Sequence, residues 1–256
     1  MAGSALLTPA LILGSLRYGE TSRIVRLATR DFGVVSAIAK GALRPKSRFG
    51  ASLQLLSEGQ AHLLPSRSSE LQTLIAFDLI AVHSGLAASL ERFAAATALA
   101  EMATRFVPPA PNPALFDWLR GAIALLELAP AEGVTVVGLR AMWGLVSELG
   151  LGPAVSECAR DAQPLPPGEV AFSLTDGGFL CRNCAVSGAT TRLAAGDREA
   201  LVALIEAGGE LPLLTPVQAS AHRRLFARWV RQHLAGDGAF PALEAWQRGP
   251  SVPHSA

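Results

Sequence analysis

Short apolar runs alternate with polar turns over the first eighty residues, and this pattern stops there. The runs fall near residues 10–16, 22–29, 34–40, 53–64 and 71–80, and they are rich in Val, Ile and Leu. Between them lie Tyr18-Gly19-Glu20, Arg30-Asp31-Phe32-Gly33, a glycine-bounded basic loop at 41–50, and Pro65-Ser66-Arg67-Ser68-Ser69. Branched apolar segments of this length, punctuated by Gly, Pro, Asp and Ser, read as β-strands joined by turns. From about Leu86 the apolar spacing becomes helical. Leu115, Leu119, Ala122, Leu126 and Ala129 form one stripe, and Leu139, Met142, Val146 and Leu149 another, ended by Gly150-Leu151-Gly152-Pro153.

Pro108-Pro109-Ala110-Pro111-Asn112-Pro113 separates two of these helices. A hairpin is predicted over 170–174 and 178–181 around Asp176-Gly177-Gly178. Helices resume over 197–207 and 216–234. Five strands at this spacing suit a small closed barrel of the oligonucleotide-binding (OB) kind. The expected architecture is therefore α+β and multidomain: a five-stranded OB barrel, then a mainly α-helical domain carrying a small zinc-knuckle-like β-hairpin insertion. The expected boundaries are 1–82 for the barrel, 83–157 with 190–236 for the helical domain, 158–189 for the insertion, and 237–256 for a weakly structured tail.

Charge changes the picture most at the N-terminal end. Residues 1–50 hold eight of the 22 Lys and Arg but only two of the 21 acids, a net +6 against −5 for the remainder. Such asymmetry within a nearly neutral chain points to a polyanion partner. The cations are Arg17, Arg23, Arg26, Arg30, Lys40, Arg44, Lys46 and Arg48, which are candidates for phosphate contacts. Tyr18 and Phe49 are nearby aromatics that could stack on a base, and Phe49 could equally close the barrel. Half of the residues are hydrophobic, so the chain can bury a sizeable core. The uncharged opening residues lack the basic n-region of a signal peptide, and no charge-free apolar run reaches spanning length. A cytoplasmic, nucleoid-associated location is expected.

Three cysteines in a chain of this size argue against a disulfide framework. Cys181-Arg182-Asn183-Cys184 is a C-x₂-C knuckle, and Cys158 lies upstream at the distance of a split zinc site. Asp161 stands where the fourth ligand is expected, so the candidate set is Cys158, Asp161, Cys181 and Cys184. A Cys₃Asp set suits zinc less well than Cys₄, and the competing expectation is a degenerate knuckle held by packing. Arg224, Arg228 and Arg231 line one face of the 216–234 helix, where a solvated face, a wider nucleic-acid track or a grip on an acidic peptide would each explain them. Arg140 and Trp143 beside an apolar stripe are candidates for gripping an acidic peptide. No catalytic constellation is present: the five histidines are scattered, and neither G-x-x-x-x-G-K-[ST] nor G-x-G-x-x-G occurs. An enzyme is not expected.

The run Tyr18-Gly19-Glu20-Thr21-Ser22-Arg23-Ile24-Val25, then Thr29-Arg30-Asp31-Phe32-Gly33, then Ala39-Lys40-Gly41-Ala42-Leu43-Arg44-Pro45-Lys46-Ser47-Arg48 resembles the N-terminus of the RecO family of bacterial recombination mediators. Leu149-Gly150-Leu151-Gly152-Pro153 and Gly178-Phe179-Leu180-Cys181-Arg182-Asn183-Cys184-Ala185 resemble later landmarks of that family. The resemblance implies a non-catalytic role in DNA repair: binding single- and double-stranded DNA and annealing complementary strands. It also implies that, with the partner RecR, the protein helps load RecA onto strands coated by single-stranded-DNA-binding protein. The acidic C-terminal tail of that coat protein is an implied ligand. Asp161 is the departure, standing where zinc-bearing members have a cysteine. The alternative from another class is an OB-fold protein-interaction scaffold without a primary DNA-binding role.

Overall fold

The structure, a computed structural model, describes residues 5–66, 69–188, 190–206, 208–234 and 238–249. Five strands, β1 (Leu6–Tyr18), β2 (Ser22–Thr29), β3 (Gly33–Ala39), β4 (Glu58–Leu64) and β5 (Gln72–Ala81), close into a barrel in the order β1-β2-β3-β5-β4. Alternation selects the inside: Ala10, Ile12, Val25, Leu27, Val35, Ala37, Ala61, Leu63 and Leu74 share one buried cluster. The parallel contact of Ala37 with Gln72 and Ile38 with Thr73 closes the ring. A register shift between Ile12 and Gly14 in β1 bends the longest strand around it.

The predicted fourth strand began too early. Leu53 and Leu56 are buried, but they lie in a chain of turns over 40–57, and β4 starts at Glu58. Their apolar character reflects burial rather than strand formation.

Two helices belong to the same compact unit as the barrel, which spans residues 1–129. Helix α1 (Leu90–Phe106) is capped by Ser89, whose side chain accepts from the Arg92 amide, and it packs on β1 and β2. Five of its six alanines, Ala95, Ala96, Ala98, Ala100 and Ala103, are buried. Helix α2 (Pro113–Leu128) starts with Asn112 as its cap and Pro113 at its first turn. The linker between them docks on the β2–β3 turn, where the Val34 amide donates to the Pro108 carbonyl at 3.2 Å.

The second unit covers residues 130–256. It holds α3 (Val134–Glu148), a three-stranded sheet, α4 (Ala195–Ile205), α5 (Pro216–His233) and α6 (Pro241–Arg248). The sheet runs β7-β6-β8, with β6 (Val170–Ser173) and β7 (Gly178–Leu180) forming the predicted hairpin. The third strand, β8 (Thr191–Leu193), was not foreseen; three residues carry too little alternation to announce a strand.

An aromatic core ties these pieces together. Trp143 meets Phe226 edge-on at 4.9 Å, and Trp229 lies 5.9 Å from Trp143 and 6.0 Å from Phe172. Phe226 and Trp246 pack at 6.0 Å. Each such pair contributes roughly 0.5–1.5 kcal/mol beyond its area burial.

The expected weak tail is corrected in part. Residues 241–248 form α6, with Leu243 and Trp246 buried, while residues 250–256 lie outside the described residues.

Candidate nucleic-acid interface and metal-ligand cluster

The basic loop is shaped by what it buries. Its turns are stitched by Arg44 to Gly41, Ser47 to Arg44, Gly50 to Ser47 and Ser52 to Phe49 amide–carbonyl hydrogen bonds. One end is pinned to the β1–β2 hairpin, where the Leu43 amide donates to the Thr21 carbonyl at 2.8 Å. The other is pinned to β1 through Leu56 amide to Ile12 carbonyl and Ile12 amide to Ser57 carbonyl. Phe49 and Leu53 point into the barrel core. Burial of each side chain stabilises by about 1.5–3 kcal/mol, which holds the loop down against its conformational entropy.

Phe49 is therefore 2% exposed and closes the barrel; stacking on a base is left to Tyr18, which is half exposed. With the apolar side chains turned inward, Arg44, Lys46 and Arg48 are left exposed, as is Lys40. The Arg48 guanidinium lies 5.3 Å from the Phe49 ring centroid.

Strand register gathers further cations. Arg17 stands directly opposite Arg23, which in turn stands opposite Ala39, the residue before Lys40. Like charges placed directly across a ladder are unfavourable. Arg17 is steadied by the Gly19 carbonyl at 3.3 Å and Arg23 by Ser15 Oγ at 2.9 Å, neither of which removes the charge. Arg26 lies on the opposite parity, across from Ser36 and Gly14, where an added Cβ would meet nothing within 4 Å.

Arg30 behaves differently from the rest. It binds Asp117 of α2 with both nitrogens, at 3.4 and 3.0 Å. The hydrogen bond to Asp117 raises the Arg30 pKa, and the same contact lowers that of Asp117. Eighty-seven residues separate the two, so no local signal in the sequence marks the pair. Among the described residues, Arg17, Arg23, Arg26, Lys40, Arg44, Lys46 and Arg48 carry no acidic partner. All seven belong to the barrel or its basic loop, and none is neutralised by an ion pair among the described residues.

In the second unit, Cys158, Asp161, Cys181 and Cys184 converge, their ligand atoms all within 4.8 Å of one another. Asp161 Oδ2 accepts from the Cys184 thiol at 3.2 Å and the Cys181 thiol at 3.5 Å. Tetrahedral zinc, with bonds near 2.3 Å to sulfur and 2.0–2.2 Å to oxygen, needs ligand atoms about 3.5–3.8 Å apart, so a contraction of about 1 Å at most would bring these donors to a metal. The Cys158 thiol, followed by that of Cys184, holds the Asp161 carboxyl down at about 2. Asp161 in turn pushes the Cys184 thiol up to about 12.

Arg160, between Cys158 and Asp161, was not singled out in the sequence. It pairs with Asp176 at 2.8 Å and donates to the Cys184 carbonyl and Ser187 Oγ, both at 2.9 Å. It therefore fastens the two turns that carry the cysteines and sets a positive charge beside an anionic donor set.

Arg140 and Trp143 do not form a peptide-gripping surface. Trp143 has no exposed area, because α3 is surrounded by α5 and the aromatic core. Arg140 donates to the carbonyls of Ala203, Gly209 and Glu210, and burial lowers its pKa. On α5, Arg224, Arg228 and Arg231 are exposed, whereas Phe226, Trp229 and Val230 are core residues.

No helix among the described residues is long and apolar enough to cross a membrane. Two family models match, described as Recombination protein O N terminal over residues 1–83 and Recombination protein O C terminal over residues 87–238. The DNA repair protein RecO of Anaeromyxobacter dehalogenans (strain 2CP-C) is 34% identical over 231 residues, covering 88% of this chain and 89% of the relative. The protein of the same name from Anaeromyxobacter sp. (strain K) is 33% identical with the same coverage. A five-stranded barrel, a helical unit with a cysteine knuckle, and matches spanning nearly the whole chain together place this protein in the RecO family of DNA repair and recombination proteins.

Proposed function

We propose that this chain is a non-catalytic recombination mediator that binds single- and double-stranded DNA, anneals complementary strands and, with RecR, helps load RecA onto DNA coated by single-stranded-DNA-binding protein. The observation that carries the DNA-binding reading is the set of seven barrel cations without acidic partners among the described residues. A phosphate backbone supplies the missing counter-charge, and displaced counterions drive binding. Two strands neutralised on one surface repel each other less, and their bases stay free to pair. Arg17 and Arg23 sit face to face where a bridging phosphate relieves their repulsion.

Titration of a labelled single-stranded oligonucleotide at low and at moderate salt tests this reading. Binding at low salt that weakens steeply as salt rises is expected. No binding at low salt favours a protein-interaction scaffold instead.

Zinc is the metal that the donor set of Cys158, Asp161, Cys181 and Cys184 suits best. Bound there, it would supply a structural crosslink; four protein donors leave no open position for catalysis. Elemental analysis of chelator-washed protein should find about one zinc per chain. A metal-free yet folded protein shows instead that packing alone holds the knuckle.

A further inference from the structure

Between β8 and α5 lies a slot of about 220 Å³, walled by Leu193, Ala221 and Leu225. Thr191 and Asp197 add polar groups to its lining, the buried His222 ring closes its floor, and Arg224 and Arg228 complete it from the exposed side of α5. His222 is 3% exposed, and neither of its ring nitrogens has a hydrogen-bond partner among the described residues. Its Nε2 lies 3.9 Å from Asp197 Oδ1, too far for a hydrogen bond. A buried imidazole without partners requires a physical reason.

The helix itself gives a second indication. Helix α5 contains four arginines and no acid. Arg224 and Arg228 are one turn apart, an arrangement in which like charges repel. Arg224 donates only to Ser220 Oγ, and Arg228 has no acidic partner among the described residues.

We propose that this slot is a nucleotide subsite, in which a single-stranded base bearing an exocyclic amine enters between β8 and α5 while its flanking phosphates meet Arg224 and Arg228. The proposal rests on the DNA-binding reading above and adds a contact in the second unit. The slot is large enough for one base, and its apolar walls suit a π-face. Asp197 accepts from the amine, as carboxylates do from cytosine. An acidic peptide fits less well, because its carboxylates would enter against Asp197.

Photocrosslinking of the full chain to an oligonucleotide carrying 5-iodocytosine, followed by peptide mapping, tests the proposal. Crosslinks are expected in peptides spanning 191–193 and 221–228, in addition to barrel peptides. Arg224→Glu with Arg228→Glu should abolish the second-unit crosslinks and keep those of the barrel. It should also reduce the single-strand salt slope by about 1.4, two contacts at about 0.7 each. Both arginines are exposed, and Arg228→Gln alone gives a milder variant that should lose about half of that slope change.

Wild-type crosslinks confined to the barrel overturn the subsite and leave the barrel reading intact. Crosslinks confined to 191–193 and 221–228 do the reverse, and crosslinks nowhere overturn both. The subsite also falls if both arginines prove necessary for capture of an Asp-rich peptide with an apolar C-terminus while the crosslinks persist without them.

Discussion

Gly33 shows how one atom governs the first unit. Its φ is +68°, and an added Cβ would sit 2.2 Å from the Pro108 carbonyl oxygen and 2.5 Å from the Ala110 amide nitrogen. Both neighbours are backbone and cannot rotate away. Gly33→Ala should therefore destabilise the unit by about 2–4 kcal/mol, from left-handed backbone strain and overpacking together. Denaturant unfolding of the variant measures this; a change below about 1 kcal/mol would mean that the 108–110 segment does not dock on the turn.

His222 predicts a pH dependence in the second unit. Burial lowers its folded pKa below the ordinary 6.5, while Asp197 opposes the shift more weakly. The stability contributed by the neutral ring is thus present above pH 6.5 and lost as pH falls from there toward the folded value. Thermal unfolding between pH 7.5 and 5.5 should show a falling midpoint, with a shallower fall in His222→Gln. Equal slopes for the two proteins would remove His222 as the cause.

At the scale of elements, strands and helices were legible where apolar spacing coincided with burial. Val25 and Leu27 in β2, Val35 and Ala37 in β3, and Leu115, Leu119 and Leu126 in α2 are examples. Legibility failed where burial arose without regular structure. Leu53 and Leu56 look like strand residues, yet they pack from turns. Trp143 and Arg140 beside an apolar stripe read as a peptide grip, but Trp143 is covered by the aromatic core and Arg140 serves three carbonyls.

The cysteine cluster was legible because its spacing is local on each side of the hairpin, whereas Arg30–Asp117 and Arg120–Glu58 span large sequence separations. Helix α6 was missed because eight residues offer one apolar pair, Leu243 and Trp246. That pair matters energetically: Trp246 is 1% exposed, packs on Phe226 and lies beneath Arg223 at 5.5 Å. Trp246→Ala should cost about 3–5 kcal/mol in unfolding free energy. A cost near zero would show α6 to be dispensable.

At the scale of the whole molecule, charge and core are sorted by unit. Among the described residues, the barrel's basic residues are not paired with its own acids: Asp31 accepts from Thr8, Glu58 pairs with Arg120 and Asp78 with His62. The second unit carries the aromatic core and the four-ligand cluster. Turning Phe49 and Leu53 inward is what sets Arg44, Lys46 and Arg48 outward, so anion recognition and barrel closure share one loop. The salt dependence of single-stranded DNA affinity, compared between the wild type and the triple variant Arg44→Glu, Lys46→Glu, Arg48→Glu, tests that account most directly. A weaker affinity with a log–log slope shallower by about 2, three contacts at about 0.7 each, is the predicted result. Unchanged affinity and slope in a folded variant would contradict it and move the DNA contact away from this loop.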